Sequence, residues 1–237
     1  MSTETAPLID LAQVVKQHQG GQPLRLAQFQ VRPGERFVLA GLDAGAAEAF
    51  VMLVTGAAVP DAGDVRVSGR STREIATDTE WLLSLDRFGL VTRRAVLIDA
   101  LPIAQNLALP MTLSIDPMPP DIAARVSRLA ADAGLAAERL PATASTLTPD
   151  ERVRVHLARA LALDPALVLL EHPTVGLEAA ASRALGAQLR ALSDGRDLAW
   201  VAITDDEEFA RASGGTRLRL KPATGALVPD RFWHRWS

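Results

Sequence analysis

Between Leu157 and Glu178 the chain reads LARALALDPALVLLEHPTVGLE, and this stretch constrains the fold more than any other. It passes from helix through a turn at Asp164-Pro165 into the unbroken apolar run Ala166 to Leu170. A strand with one wet face alternates apolar and polar residues. A short continuous run therefore predicts a strand covered on both faces, the buried parallel type. The run ends in an acidic turn that opens with Glu171 and His172.

The rest of the chain is consistent with such a sheet. Residues Pro7 to Val15, Arg25 to Val31 and Arg36 to Ala40 read as strands, with Gly20-Gly21 and Pro33-Gly34 as turns between them. Ala46 to Val54 is free of Gly and Pro and predicts a helix. Pro60 to Gly63 turns into a strand at Asp64 to Ser68, and another strand follows at Phe88 to Val91. From about 94 to 154 the pattern is helical, with the best helices at Ala104 to Leu109, Asp121 to Ala133 and Pro149 to Leu163; this block is expected to be an inserted helical subdomain. Asp121 and Asp150 suit helix starts, where a carboxylate meets unpaired backbone N–H groups. Ala179 to Leu192 predicts a helix stopping at Asp194-Gly195, Ala199 to Thr204 a second buried strand, and Arg217 to Leu220 with Ala226 to Val228 a hairpin. Alternating strands and helices argue for a doubly wound α/β fold in a single domain spanning 1–237. The tail Arg231 to Ser237, with Trp233 and Trp236, is expected to dock on the body or on a partner.

Composition narrows the function. The formal net charge of −3 points to no nucleic-acid partner. With no cysteine, thiolate metal sites and cysteine nucleophiles are excluded. The start MSTETAPLID has no signal-peptide pattern, and no apolar segment approaches the roughly 20 residues that cross a bilayer. Lys16 and Lys221 are the only lysines, so nothing between them can supply a lysine to a phosphate loop.

Several separated segments carry one resemblance: GERFVLAG at Gly34 to Gly41, PDAGDVRVSGR at Pro60 to Arg70, and the Leu157 to Glu178 stretch. In this order and spacing they resemble the nucleotide-binding subunit of ABC transporters over nearly the whole chain. The resemblance implies a P-loop NTPase-like (RecA-like) core, an N-terminal antiparallel β subdomain and the helical insertion. In that family a glycine-rich loop ends in Gly-Lys-Ser/Thr and cradles phosphate and Mg²⁺.

Here the corresponding window is Gly41-Leu42-Asp43-Ala44-Gly45-Ala46-Ala47-Glu48. Ala47 stands at the lysine position and Glu48 at that of the magnesium-binding hydroxyl. Losing a cation and gaining an anion about 4 Å from phosphate each shift the interaction by about 4 kcal/mol at an effective dielectric of about 20. Together they match a micromolar affinity, about 8 kcal/mol. The other motif positions depart in the same direction. Arg93 replaces the glutamine that touches γ-phosphate and metal, and Asp205 replaces the switch histidine. The signature loop corresponds to Leu147, Thr148, Pro149, Asp150 and Glu151, where proline donates no N–H and Asp150 adds negative charge. His18 is the only candidate for the aromatic stacking position. Glu171 and His172 occupy the places of the metal-binding aspartate and the water-orienting glutamate.

Three readings follow. In the first, the chain is a degenerate, pseudo-ATPase subunit that binds ATP weakly or not at all, needs no cofactor, and acts as scaffold or regulator. In the second it is a slow ATPase, with Glu171 as metal ligand for Mg²⁺ and His172 as general base. In the third, a binding module, the altered pocket takes another ligand. For Arg93 and Arg94 the alternatives are a solvated loop or an ion pair with Glu48 or Glu171 that fills the phosphate site. Gly41 and Gly45 keep the turn compact whether or not phosphate binds. The resemblance also implies a transmembrane permease partner, pairing with itself or another cassette subunit, and a cytoplasmic position on the inner face of the membrane. NLALP at Asn106 to Pro110 resembles lipid or lipoprotein export cassettes.

Overall fold

A computed structural model describes residues 6–18, 21–92 and 94–230. In chain order the strands and α-helices are β1 (Ile9–Lys16), β2 (Leu24–Val31), β3 (Arg36–Ala40), α1 (Ala44–Val54), β4 (Ala62–Val67), β5 (Arg70–Ser71), α2 (Asp78–Leu85), β6 (Phe88–Val91), α3 (Ile103–Ala108), α4 (Pro120–Asp132), α5 (Pro149–Ala160), β7 (Leu167–Glu171), α6 (Ala179–Arg196), β8 (Ala199–Ile203), α7 (Glu207–Ser213), β9 (Thr216–Lys221) and β10 (Ala226–Pro229). They form a six-stranded sheet in the order β10-β9-β3-β8-β7-β6 and a four-stranded sheet in the order β2-β1-β4-β5. In the larger sheet β9, β3, β8, β7 and β6 pair in parallel, and β10 closes the edge as an antiparallel hairpin with β9. The smaller sheet is antiparallel throughout. The α/β core and antiparallel β unit expected from the sequence are both present.

The apolar run in β7 behaves as its pattern requires. Successive side chains of a strand point to opposite faces. Val168 and Leu170 accordingly join one core cluster with Val155, Leu157 and Leu189 from α5 and α6, whereas Leu167 and Leu169 join another with Phe50 and Leu53 of α1 and with residues of β1 and β2. Helix α1 is sandwiched between the two sheets, so it is apolar around most of its circumference: Ala46, Ala47, Ala49, Phe50, Val51, Leu53 and Val54 are all buried. Every described element between β6 and β7 is helical, from α3 to α5.

Two boundaries differ from the sequence reading. Helix α6 runs through Asp194-Gly195 and stops at Asp197, whose φ of 51° is left-handed. Gly195 has open space where a Cβ would stand, so nothing there forces a break. Buried Leu192 and Ser193 instead carry the helix onward against the core. Helix α5 ends at Ala160 rather than Leu163, its last turn tightening as Leu161 N–H donates to both Leu157 and Ala158 carbonyls. The chain must reverse there to enter β7. Helices α2 and α7 were not expected; both are short and begin on side-chain caps, Thr77 and Asp206. Gly20, Arg93, Trp233 and Trp236 lie outside the described residues.

Candidate functional site

The strand-to-helix turn from β3 to α1 sits at the centre of the large sheet, between β8 and β9. Gly41 adopts φ 81°, a left-handed conformation, and a Cβ there would lie 3.3 Å from the Leu220 carbonyl. Glycine is needed at this corner for backbone reasons alone. Its N–H is already engaged: the Asp205 carboxylate accepts it at 3.2 and 3.4 Å. Asp205 follows β8 and is in turn held by Arg219 Nη1 at 3.2 Å. Behind it lies a buried ionic cluster, in which Asp230 pairs with Arg219 at 3.1 Å and Arg217 at 2.9 Å. Hydrogen bonding to Asp230 raises the pKa of Arg219, and burial opposes the rise.

Asp43 caps α1, its Oδ1 accepting Ala46 N–H at 2.8 Å. An internal carboxylate thus occupies the helix N-terminus, where an external anion would otherwise bind. His18 approaches from the other side: its Cε1 is 3.7 Å, and an Asp43 oxygen 4.0 Å, from where a Cβ on Gly21 would be. Gly45 lies in the first turn of α1, Ala47 is fully buried, and Glu48 is on the exposed face.

Glu48 is reached by Arg94. Arg94 Nη1 is 2.5 Å from Glu48 Oε1, and Arg94 Nη2 is 2.7 Å from Glu171 Oε2. One guanidinium therefore bridges α1 and the end of β7, at the two positions where the family resemblance expects metal-binding groups. Of the two alternatives for Arg93 and Arg94, a solvated loop or an ion pair, Arg94 makes the ion pair. The segment that carries Arg94 is held from two further directions. Arg159 of α5 donates to the carbonyls of Val96 and Ala95 at 2.8 and 2.6 Å, and buried Asn106 of α3 bonds both N–H and C=O of Ile98 at 2.8 and 3.0 Å.

His172 has φ 46°, and its N–H continues the β7–β8 ladder to Ile203 O at 2.9 Å. Its Nε2 is buried and unpaired among the described residues, so no carboxylate orients the ring through that atom. Next to it Thr174 and Thr204 share a buried hydroxyl pair at 3.1 Å. Among the described residues no group of three or more His, Asp or Glu side chains is arranged to hold a metal ion.

The segment Leu147 to Glu151, expected from the resemblance to correspond to the signature loop, is a helix start. Leu147 is buried, Thr148 caps α5, Pro149 opens its first turn, and Thr148 and Glu151 form a reciprocal capping box at 3.0 and 3.3 Å. Glu151 also takes both ends of Arg139, at 2.6 and 3.1 Å, and its pKa is lowered first by Arg139 and then by the Thr148 N–H. Asp150 pairs with Arg154 one turn on at 2.9 Å. Pro149, Val153 and His156 share a cleft of about 460 Å³ with Glu171, His172 and Val175. Burial, then Arg159 and Arg152, depress the His156 pKa to about 4, so it is neutral at physiological pH.

Sequence reasoning missed the Arg217–Asp230–Arg219 cluster. Its signal was the pair of arginines two apart in the strand TRLRLK, which puts both on one face.

The ABC transporter family model matches residues 24–175. The chain is 31% identical over 216 residues to a methionine import ATP-binding protein of Paraburkholderia xenovorans, covering 89% of this chain but only 55% of that relative's length. It is 31% identical over 186 residues to the lipoprotein-releasing system ATP-binding protein LolD 1 of Rhodospirillum rubrum, covering 78% of this chain and 81% of the relative. A solved dimeric bacterial ABC transporter cassette superposes with a TM-score of 0.74 at 22% identity, covering 90% of this chain and 94% of the other. Part of an ABC transporter complex from Clostridium perfringens gives 0.77 at 16% identity, covering 94% and 87%. At these identities the structural matches speak to fold.

Proposed function

This chain belongs to the ABC transporter family, and we propose that it serves there as a degenerate ATP-binding subunit, a pseudo-ATPase that scaffolds or regulates a membrane permease complex. One observation carries the reading: Arg94 bridges Glu48 and Glu171, so an internal cation occupies the place between α1 and β7 where the family holds metal and γ-phosphate. Two backbone N–H groups of the turn are engaged in the same way by internal carboxylates. Gly41 N–H faces Asp205, and the start of α1 faces Asp43. Mg-ATP does not fit this arrangement unless several internal pairs open together, and no cofactor is assigned.

The slow-ATPase reading is disfavoured by the same contacts. Glu171 is committed to Arg94, and His172 Nε2 is buried from solvent with no hydrogen-bond partner among the described residues, so it does not face a water it could deprotonate. As a module for another ligand, the chain would be left the cleft that Glu171 and His172 share with α5, because Arg94 fills the position between Glu48 and Glu171. The proposal includes a single cassette domain over 1–237 with a helical insertion at about 94–154, and a transmembrane permease as partner at the inner face of the membrane. A second cassette chain, identical or different, completes the proposed assembly. Likeness to LolD adds to the NLALP resemblance and favours export of lipid or lipoprotein.

Equilibrium titration with a fluorescent ATP analogue, with and without Mg²⁺, tests the reading. No saturable binding in the micromolar range is expected; metal-dependent saturation there would overturn it.

A further inference from the structure

Away from the strand-to-helix turn, a cavity of about 310 Å³ opens where the end of α1, strand β4 and helix α2 meet. That volume is within the range of small-molecule pockets. Its apolar wall comes from Val54, Val67, Leu83 and Phe88. Helix α2 sets this region apart. Trp81, Leu82, Leu83 and Leu85 make half of its length large and apolar, yet no residue of the helix is buried. Leu82 and Leu83 are 57% and 66% exposed. What holds α2 in place is polar: the Thr77 cap, a bond from Trp81 Nε1 to Thr55 O at 3.0 Å, and the Arg70–Glu80 pair at 3.2 Å. Trp81 and Leu85 are half-buried, so the apolar surface left over beside the cavity is that of Leu82 and Leu83.

The charges lining the cavity do not cancel. Glu80 is matched by Arg70, and its pKa is lowered, first by the Ala76 N–H and then by Arg70, so it stays ionised. Arg87 donates to the Ser68 hydroxyl at 2.9 Å and, among the described residues, has no carboxylate within ion-pair distance. One positive charge is left facing an apolar wall. In the same lining Thr72 is 3% exposed, with a buried hydroxyl that has no partner among the described residues.

We propose that this cavity binds a small anionic amphiphile. Its carboxylate or phosphate-monoester head sits on Arg87 and its hydrocarbon covers Leu83, Phe88 and Val67. An arginine fork matches both head groups, and desolvating the tail against exposed leucine is favourable. The site is separate from the Arg94 position and does not rest on the pseudo-ATPase reading.

The test is calorimetric titration of the full chain with decanoate and with octyl phosphate, using decanol and inorganic phosphate as the tail alone and the head alone. Saturable binding is expected for the anionic amphiphiles below their micellar concentrations. Arg87→Gln should weaken it about tenfold, the loss expected for one charge-assisted hydrogen bond. Leu83→Gln should weaken it several-fold. Both residues are on the surface, and unchanged thermal unfolding of the variants confirms that the fold is intact. A stronger response to octyl phosphate assigns a lipid-phosphate head, and the reverse assigns a fatty acid. Decanol or bare phosphate binding as well as the amphiphiles, no saturation, or indifference to both substitutions would each overturn the proposal.

Discussion

The Asp205 carboxylate accepts the amide hydrogen of Gly41 at 3.2 Å, so the first residue of the strand-to-helix turn is closed by a side chain from the neighbouring strand end. The contact is anchored from behind, since Asp205 also meets Arg219 and Arg219 meets Asp230. The turn is thereby closed from within by side chains of the same chain.

Asp205→Ala removes that closure from Gly41 N–H and takes one of two carboxylates from Arg219, which keeps Asp230. The expected loss of stability is modest, about 1 kcal/mol, because both groups can turn to water. Urea unfolding measures it. The same variant should gain weak, salt-sensitive binding of inorganic phosphate, seen as Gly41 amide shifts in nuclear magnetic resonance titrations that the parent chain does not show.

Arg94→Ala should leave the carboxylates of Glu48 and Glu171 without their shared counter-ion. Glu48 and Arg94 are half-exposed at 49% and 40%, but Glu171 is only 13% exposed, so leaving its carboxylate unpaired is expected to cost about 1–2 kcal/mol at equilibrium. The larger effect should be local. Amides of residues 94–98 should exchange faster in the variant by hydrogen-exchange mass spectrometry, and in the parent chain millimolar Mg-ATP should leave their exchange unchanged. Protection of this segment by Mg-ATP would contradict the proposed function.

His156 makes stability pH-dependent. Its pKa falls from 6.5 to about 4 on folding, chiefly through burial. The unfolded chain therefore binds the extra proton first, and stability is full above about 6.5 and declines as pH drops from there toward about 4. Discounted for partial exposure, the slope should be no more than about 1 kcal/mol per pH unit. His156→Gln should flatten it between pH 7 and pH 5 in urea titrations.

Asp230→Ala should be the most damaging of these changes. Asp230 and Arg217 have side-chain exposures of only 2% and 7%, so the substitution strands a buried guanidinium. Removing one partner of a buried ion pair costs about 3–5 kcal/mol. The midpoint of urea unfolding should drop accordingly, and Asp230→Asn should recover part of the loss by keeping an acceptor beside Arg217.

Much of the architecture was legible in the linear pattern. The run Ala166 to Leu170 specified a doubly covered strand because period-two alternation was missing, and β7 proves to feed both cores. The helix after Gly41 was read from an apolar stretch without Gly or Pro. Helix α2 escaped notice because its leucines do not face a core, so their spacing carries no amphipathic signal. The end of α6 was misjudged because an exposed glycine was taken as a stop, while buried Leu192 and Ser193 carry the helix past it.

The residues at the positions where the resemblance expects the family motifs were visible one by one: Ala47, Glu48, Pro149, Asp150 and Asp205 are plain in the chain itself. Their partners were not. That Glu48 and Glu171 converge on one arginine depends on bringing α1, the segment after β6 and the end of β7 to one point, a distance that no spacing in the sequence encodes. The same holds for Asp205 on Gly41, residues 164 apart that only the packing of β3 beside β8 makes neighbours. By itself the sequence determined that the strand Ala166 to Leu170 is covered on both faces and which residues stand at the positions where the resemblance expects phosphate contacts, because these follow from local periodicity and residue chemistry. Only the tertiary structure decided which replacement neutralises which, because pairing of charges depends on distance in space and not along the chain.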